Sequence, residues 1–172
     1  MQVSAPGRAD FLNTHQDYKG LPVVPIGLSL RTRIHGHATN GTKIKVNSVN
    51  LEKEEKTASD EFDIRDIEYR EKGWFGNYIR ATVNTLKKFG LSKKIKGVDM
   101  VIDSDIPIGV GLGSSRALEV ATIKFFDAAF KLNLSRRDLA ELSYFAEREE
   151  LGIPCGSLQR DKRTLITEKG DR

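Results

Sequence analysis

Polar and apolar positions alternate along Lys43-Ile44-Lys45-Val46-Asn47 and again through Val98, Met100 and Ile102, a period of two that turns one face of a strand toward a core. Val23–Ile26 and Leu28–Ile34 are apolar and β-branched and read as further strands. Pro25 has no N–H to donate, which confines it to an edge or a strand start. Residues 2–5 fit a short strand, Glu61–Ile64 a weakly patterned one, and the charged stretch Leu51–Ser59 a surface hairpin or loop. Together these strands predict a twisted antiparallel sheet.

The period then lengthens. Trp74 to Phe89 sets Tyr78, Ile79, Val83, Leu86 and Phe89 at helical spacing, with Gly90 as the stop, and predicts a core-facing helix. A second helix runs from Ser114 through Phe130, with Leu118, Ala121, Ile123, Phe125 and Phe126 apolar. Ser135-Arg136-Arg137-Asp138 has the form of a capping box. It opens a third helix whose buried stripe is Leu139, Leu142, Phe145 and Ala146, with Glu147 near its end.

The strand ending at Ile102 and the helix starting at Ser114 are joined by three glycines, Gly109, Gly111 and Gly113. Glycine permits positive φ and close backbone approach. Unpaired N–H groups and the dipole at a helix start favour an anion. Two readings follow: a phosphate cradle, or a tight strand-to-helix connection with a serine N-cap. A Walker Gly-Lys-Ser/Thr is absent, and so is an acidic residue at the spacing of a dinucleotide fold.

Composition narrows the class. At 172 residues, 38% hydrophobic and 30% charged, the chain has the balance of one ordinary globular domain. Its apolar runs fall well short of the roughly 20 residues that cross a bilayer, and Met1–Pro6 has no secretory pattern, so a cytoplasmic location is expected. A single cysteine, Cys155, excludes an internal disulfide and reads as a structural thiol. The net charge of +4 is interleaved with acids, as in Glu52-Lys53-Glu54-Glu55-Lys56, which argues against a nucleic-acid surface.

Pro107-Ile108-Gly109-Val110-Gly111-Leu112-Gly113-Ser114-Ser115 resembles the Pro-x-x-x-Gly-Leu-Gly/Ser-Ser-Ser-Ala phosphate loop of the GHMP kinases. Gly7-Arg8-Ala9-Asp10-Phe11-Leu12-Asn13-Thr14-His15-Gln16-Asp17-Tyr18-Lys19-Gly20 resembles the galactokinase signature Gly-Arg-Val-Asn-Leu-Ile-Gly-Glu-His-Thr-Asp-Tyr-x-Gly-Gly at the same spacing. Glu147-Arg148-Glu149-Glu150-Leu151-Gly152-Ile153-Pro154-Cys155-Gly156 resembles that family's Ala-Glu-x-Glu-Phe-Val-Gly-Val-Pro-Cys-Gly.

The resemblance implies an α+β fold, a twisted mostly antiparallel sheet with helices packed on one face, in which residues 1–156 form an N-terminal ATP- and sugar-binding domain. It implies ATP at Pro107, Gly109, Gly111, Leu112, Gly113, Ser114 and Ser115, and Mg²⁺ between Ser115 and Glu147. Trp74 falls near the family's adenine pocket, although an aromatic at a helix start also serves simple packing. Arg8 takes the catalytic position beside the transferred phosphoryl group, and Thr14, His15, Asp17 and Tyr18 take the sugar-binding positions. The implied activity is ATP-dependent phosphoryl transfer to a hydroxyl of a galactose-like sugar, with the sugar as small-molecule partner and neither nucleic acid nor membrane involved. The alternative is an ATP- and sugar-binding regulatory module without turnover.

Several positions depart from the pattern. Thr14 replaces a glutamate that contacts the sugar, Asn13 a glycine and Gln16 a threonine. Arg116 stands where the family keeps a small residue; a long cation there either pairs with phosphate or crowds it, and crowding is the favoured reading. Past Gly156 the family continues x-Met-Asp-Gln, whereas this chain reads Ser157-Leu158-Gln159-Arg160-Asp161, so Gln159 stands at the catalytic aspartate's position. Residues 157–172 read as a tail outside the family pattern, as from a truncated or frame-shifted reading of a longer gene with the second domain absent. The chain is therefore expected to be inactive alone.

Overall fold

The computed structural model describes residues 1–12, 24–54 and 56–155, the side chains of Phe11 and Leu12 excepted. Five strands and four helices follow one another as β1 (Gln2–Leu12), β2 (Val24–Ala38), β3 (Lys43–Ser48), α1 (Val49–Lys53), β4 (Ser59–Asp63), α2 (Gly76–Leu86), β5 (Val98–Ser104), α3 (Ser114–Phe130) and α4 (Arg136–Phe145). The strands lie in the order β1-β2-β5-β3-β4. Only β3 and β5 run parallel, and every other pairing is antiparallel. The fold is the expected α+β sheet, mixed at that one pairing.

Strand alternation sorts the sheet into two faces. Ile34, Ile44, Val46, Phe62, Val98, Met100 and Ile102 point into the core, where they meet Ile79, Val83 and Leu86 of α2 and Ala117, Ala121, Phe125 and Phe126 of α3. His35, Lys45, Glu61 and Val101 alternate to the opposite, exposed face. That face is laced by Lys43–Glu61, Lys45–Glu61 and Arg33–Asp105 pairs. The helices thus pack on one side only, as expected.

Three elements differ from the pattern reading. β1 extends to Leu12 rather than stopping at residue 5, because its backbone keeps pairing with Val24–Gly27 of β2. Tertiary pairing here overrides a polar sequence. The charged 51–59 segment begins within the short helix α1, and β4 begins at Ser59. Phe89, expected in the core, is 46% exposed and packs edge-on against Phe145 of α4, since the chain has already left α2 through Lys87–Leu91 with Gly90 at φ 83°. Pro25 pairs only with β1, at the stretch of β2 before β5 joins it. The Ser135–Asp138 capping box is present at the start of α4.

One ion pair locks α2 to the edge strand. Asp60 of β4 has a fully buried carboxylate that accepts from Arg80 Nη1 and Nη2, the latter at 3.0 Å, and from Trp74 Nε1 at 3.0 Å. Arg70 Nη2 lies 3.3 Å from the same carboxylate. Glu150, following α4, likewise accepts from Lys88, Asn84 and Tyr69. Burial opposes its ionisation, but those bonds outweigh burial and hold its carboxyl below the ordinary value.

Removing one partner of a buried pair strands the other, at a cost of about 3–5 kcal/mol. Asp60→Ala is accordingly expected to lower the unfolding free energy by about that amount in urea titration, whereas Arg65→Ala, at an exposed pair with Asp63, leaves the midpoint nearly unchanged. For Glu150 the folded value is the lower one, so the stability it adds is present above the ordinary carboxylate value of about 4.3 and lost as pH falls below it. Urea unfolding from near-neutral to about pH 3 should show a steeper loss of stability for the wild type than for Glu150→Gln; equal slopes would remove Glu150 from this account.

Candidate nucleotide-binding site

β5 delivers the glycine loop to the start of α3. The loop's base is pinned by Asn50 of α1, whose side chain donates to the Ser104 carbonyl at 2.6 Å and accepts from the Ser104 N–H at 2.8 Å, and by the buried Ile106. Pro107 to Gly111 then stand exposed. Gly109, Gly111 and Gly113 take φ of 80°, 79° and 70°, the left-handed conformation for which glycine is suited. Gly113, not a serine, is the N-cap of α3, and no side chain caps the helix. Its first-turn N–H groups at Ser114, Ser115 and Arg116 are thus left to an anion.

β1 backs this loop. The Arg8 N–H donates to the Leu112 carbonyl at 2.9 Å, and a Cβ added at Gly7 would stand 3.0 Å from that carbonyl and 3.2 Å from Ile106 Cδ1. Gly7 is glycine because the strand and the loop touch there. Arg8 is thereby held beside Gly113, its guanidinium paired with Asp10 at 3.2 Å. Thr14, His15, Asp17 and Tyr18 lie outside the described residues, as do Asn13, Gln16 and Gln159.

On the far side of the loop the first turn of α3 meets the segment after α4. Ser115 Oγ donates to Glu147 Oε1 at 3.0 Å, and Arg116 Nη2 donates to Glu147 Oε2. Glu147 is only 7% exposed, not solvated as a glutamate on a charged helix end usually is. Arg116 Nη1 lies 3.8 Å from the carboxylate of Glu119, one helical turn on, whose oxygens are buried with no hydrogen-bond partner. Burial pushes the Glu119 carboxyl well above the usual carboxylate range, with Arg116 opposing and Glu147 adding to the rise. Burial also raises the Cys155 thiol beside them, against the pull of Arg116.

A serine hydroxyl and a carboxylate are the hard oxygen donors Mg²⁺ takes, so Ser115 and Glu147 fit it in kind. Both Glu147 oxygens are nevertheless engaged here, one by Ser115 and one by Arg116. Among the described residues no group of three or more His, Cys, Asp or Glu is placed to hold a metal ion. Trp74 gives its indole N–H to Asp60 and stacks under Arg70, whose guanidinium carbon is 4.9 Å from the ring centre. A separate concavity on the exposed sheet face, lined by His35, His37, Lys45, Glu61, Asp99 and Val101, is open and crossed by the Lys45–Glu61 pair.

Two family comparisons fall on these segments. The galactokinase galactose-binding signature matches residues 1–37, and the GHMP kinases N terminal domain matches residues 77–159. The chain carries a GHMP kinase N-terminal domain. The galactokinase of Roseiflexus sp. is 35% identical over 158 residues, covering 92% of this chain and 38% of that protein. In structure it resembles Lactococcus lactis galactokinase complexed with galactose, with 29% identity and a TM-score of 0.82 over 92% of this chain and 40% of the other. It also resembles Methanococcus jannaschii mevalonate kinase, with 26% identity and a TM-score of 0.72 over 90% and 48%. This chain therefore spans about two fifths of the length of the galactokinases it matches. Among the described residues no helix is long and apolar enough to cross a membrane.

Within this GHMP domain, periodicity did not single out Glu119, Asp60 or Gly7. A signal existed for Glu119: it is a lone carboxylate inside the apolar run Ala117-Leu118-Glu119-Val120-Ala121, four residues after Ser115. Gly7→Ala is expected to push β1 off the loop and accelerate amide hydrogen exchange at Arg8, whose N–H would lose Leu112, while Gly41→Ala, with no atom closer than 4.0 Å, leaves exchange unchanged. Unaltered protection at Arg8 in Gly7→Ala would show that the strand does not seat the loop.

Proposed function

We propose that this chain is the ATP- and sugar-binding part of a small-molecule kinase that transfers the γ-phosphoryl group of ATP to a hydroxyl of a galactose-like sugar. The observation that carries the reading is the convergence of a left-handed glycine loop, the uncapped first turn of α3, and Arg8 on the neighbouring strand. In this reading Pro107, Gly109, Gly111, Leu112 and Gly113 shape the cradle, Ser114 and Ser115 offer N–H and hydroxyl groups to phosphate, and Arg8 stabilises the group in transfer. Mg²⁺, where bound, would sit between Ser115 and Glu147 and neutralise charge on the β- and γ-phosphates. Thr14, His15, Asp17 and Tyr18 hold the sugar, Trp74 borders the adenine, and the protein works in the cytoplasm. Galactokinase relatives support the sugar as substrate class.

The second reading, a nucleotide- and sugar-binding module without turnover, is favoured by Arg116 on Glu147 and by Gln159, an amide that cannot accept a proton near neutral pH. Loss of a general base typically costs about 10²–10⁴ in rate. Residues 1–172 are therefore expected to bind ADP in calorimetry, more weakly after Ser115→Ala, yet to release no ADP from ATP across a sugar panel in a coupled assay. No heat of nucleotide binding would overturn the nucleotide reading. Turnover that disappears in Ser115→Ala would overturn the expectation of inactivity.

A further inference from the structure

Arg116 bridges two carboxylates. Its Nη2 donates to Glu147 Oε2 and its Nη1 lies 3.8 Å from Glu119, so one guanidinium stands between the helix that opens the phosphate loop and the segment after α4. The glutamate that offers itself to a divalent ion already has a cation on it.

That cation is held in place by burial. The Glu119 side chain is 0% exposed and makes no hydrogen bond, and Arg116, itself only 15% exposed, is the cation placed against it. Glu147 is itself only 7% exposed, so any motion of Arg116 toward solvent would leave a buried carboxylate without its cation. Guanidinium remains protonated at all working pH and reads a carboxylate through a planar fork. Mg²⁺ must instead shed water to bind and needs near-octahedral oxygens about 2.0–2.1 Å away. An intramolecular cation needs neither step, and its local concentration does not fall with dilution.

Resting on the nucleotide reading above, we propose that Arg116 is a tethered cation that competes with Mg²⁺ for Glu147, so that the phosphate loop takes nucleotide with little dependence on a divalent ion. Arg116 is here a positioning residue. It sets which counter-charge Glu147 carries beside the phosphates and thereby tunes metal dependence.

The test is ADP affinity by calorimetry, with excess EDTA and again with saturating Mg²⁺, for the full chain and its variants. Wild type should change by less than about threefold between the two conditions. Arg116→Ala should bind at least about tenfold tighter with Mg²⁺ than with EDTA, and Arg116→Ala/Glu147→Gln should lose that gain. Because Arg116→Ala leaves Glu119 buried without a cation, Arg116→Ala/Glu119→Gln serves as the second variant, with circular dichroism melts establishing which of them is folded. A wild type already as Mg²⁺-dependent as the folded Arg116 variant overturns the inference while leaving the nucleotide site standing. Absence of ADP binding in every variant and condition overturns both.

Discussion

α3 is wedged between the sheet and the other helices, and this constraint sets the position of everything the loop could bind. Its Ala117, Ala121, Phe125 and Phe126 are buried to 2% exposure or less, against β1 and β2 on one side and α2 and α4 on the other. Small residues nearest the loop let the helix start approach β1 closely, and the phenylalanines further along fill the space where the layers separate. Because close-packed interiors deform little, burial from Ala117 onward holds the first turn of α3 in place. The exposed loop is thereby anchored at both ends, at Ser104 by Asn50 and at Ala117 by the core.

The core-facing half of this arrangement was legible in the alternation of β3 and β5 and in the helical spacing of α2 and α3. The loop's glycines predicted their own backbone conformation. Where reading failed, the cause was long-range: β1 runs on to Leu12 because β2 pairs with it, and nothing local in Arg8-Ala9-Asp10 announces a strand. The helical period places Phe89 in the core, but the helix ends before the period reaches it. The site was legible as motif positions, and Glu119, three residues along the same helix, lay within reach of helical spacing; Glu147, thirty-one residues away, did not.

The two buried acidic centres are solved differently. Asp60 is satisfied several times over, by both terminal nitrogens of Arg80, by the Trp74 indole and by the nearby Arg70, so its charge is compensated and its geometry is fixed. Glu119 has no hydrogen bond and only a distant guanidinium, and burial raises its carboxyl so that it leans toward the neutral form. The first is a structural clamp at the sheet edge. The second leaves Arg116 the freer to commit its charge to Glu147.

A side-chain cation and a metal ion neutralise an acidic centre in ways that are not equivalent. Arginine brings one positive charge spread over a plane and can donate at once to a carboxylate and to a phosphate oxygen, but it cannot draw those oxygens into a tight octahedral shell. Mg²⁺, where bound, would bring two charges and that shell, and would neutralise the charge that develops on the phosphates in transfer. Holding a nucleotide requires charge compensation, which either can supply; aligning it for transfer requires the shell. If the loop holds nucleotide as proposed, Arg116 on Glu147 suits the site to retaining phosphate more than to moving it.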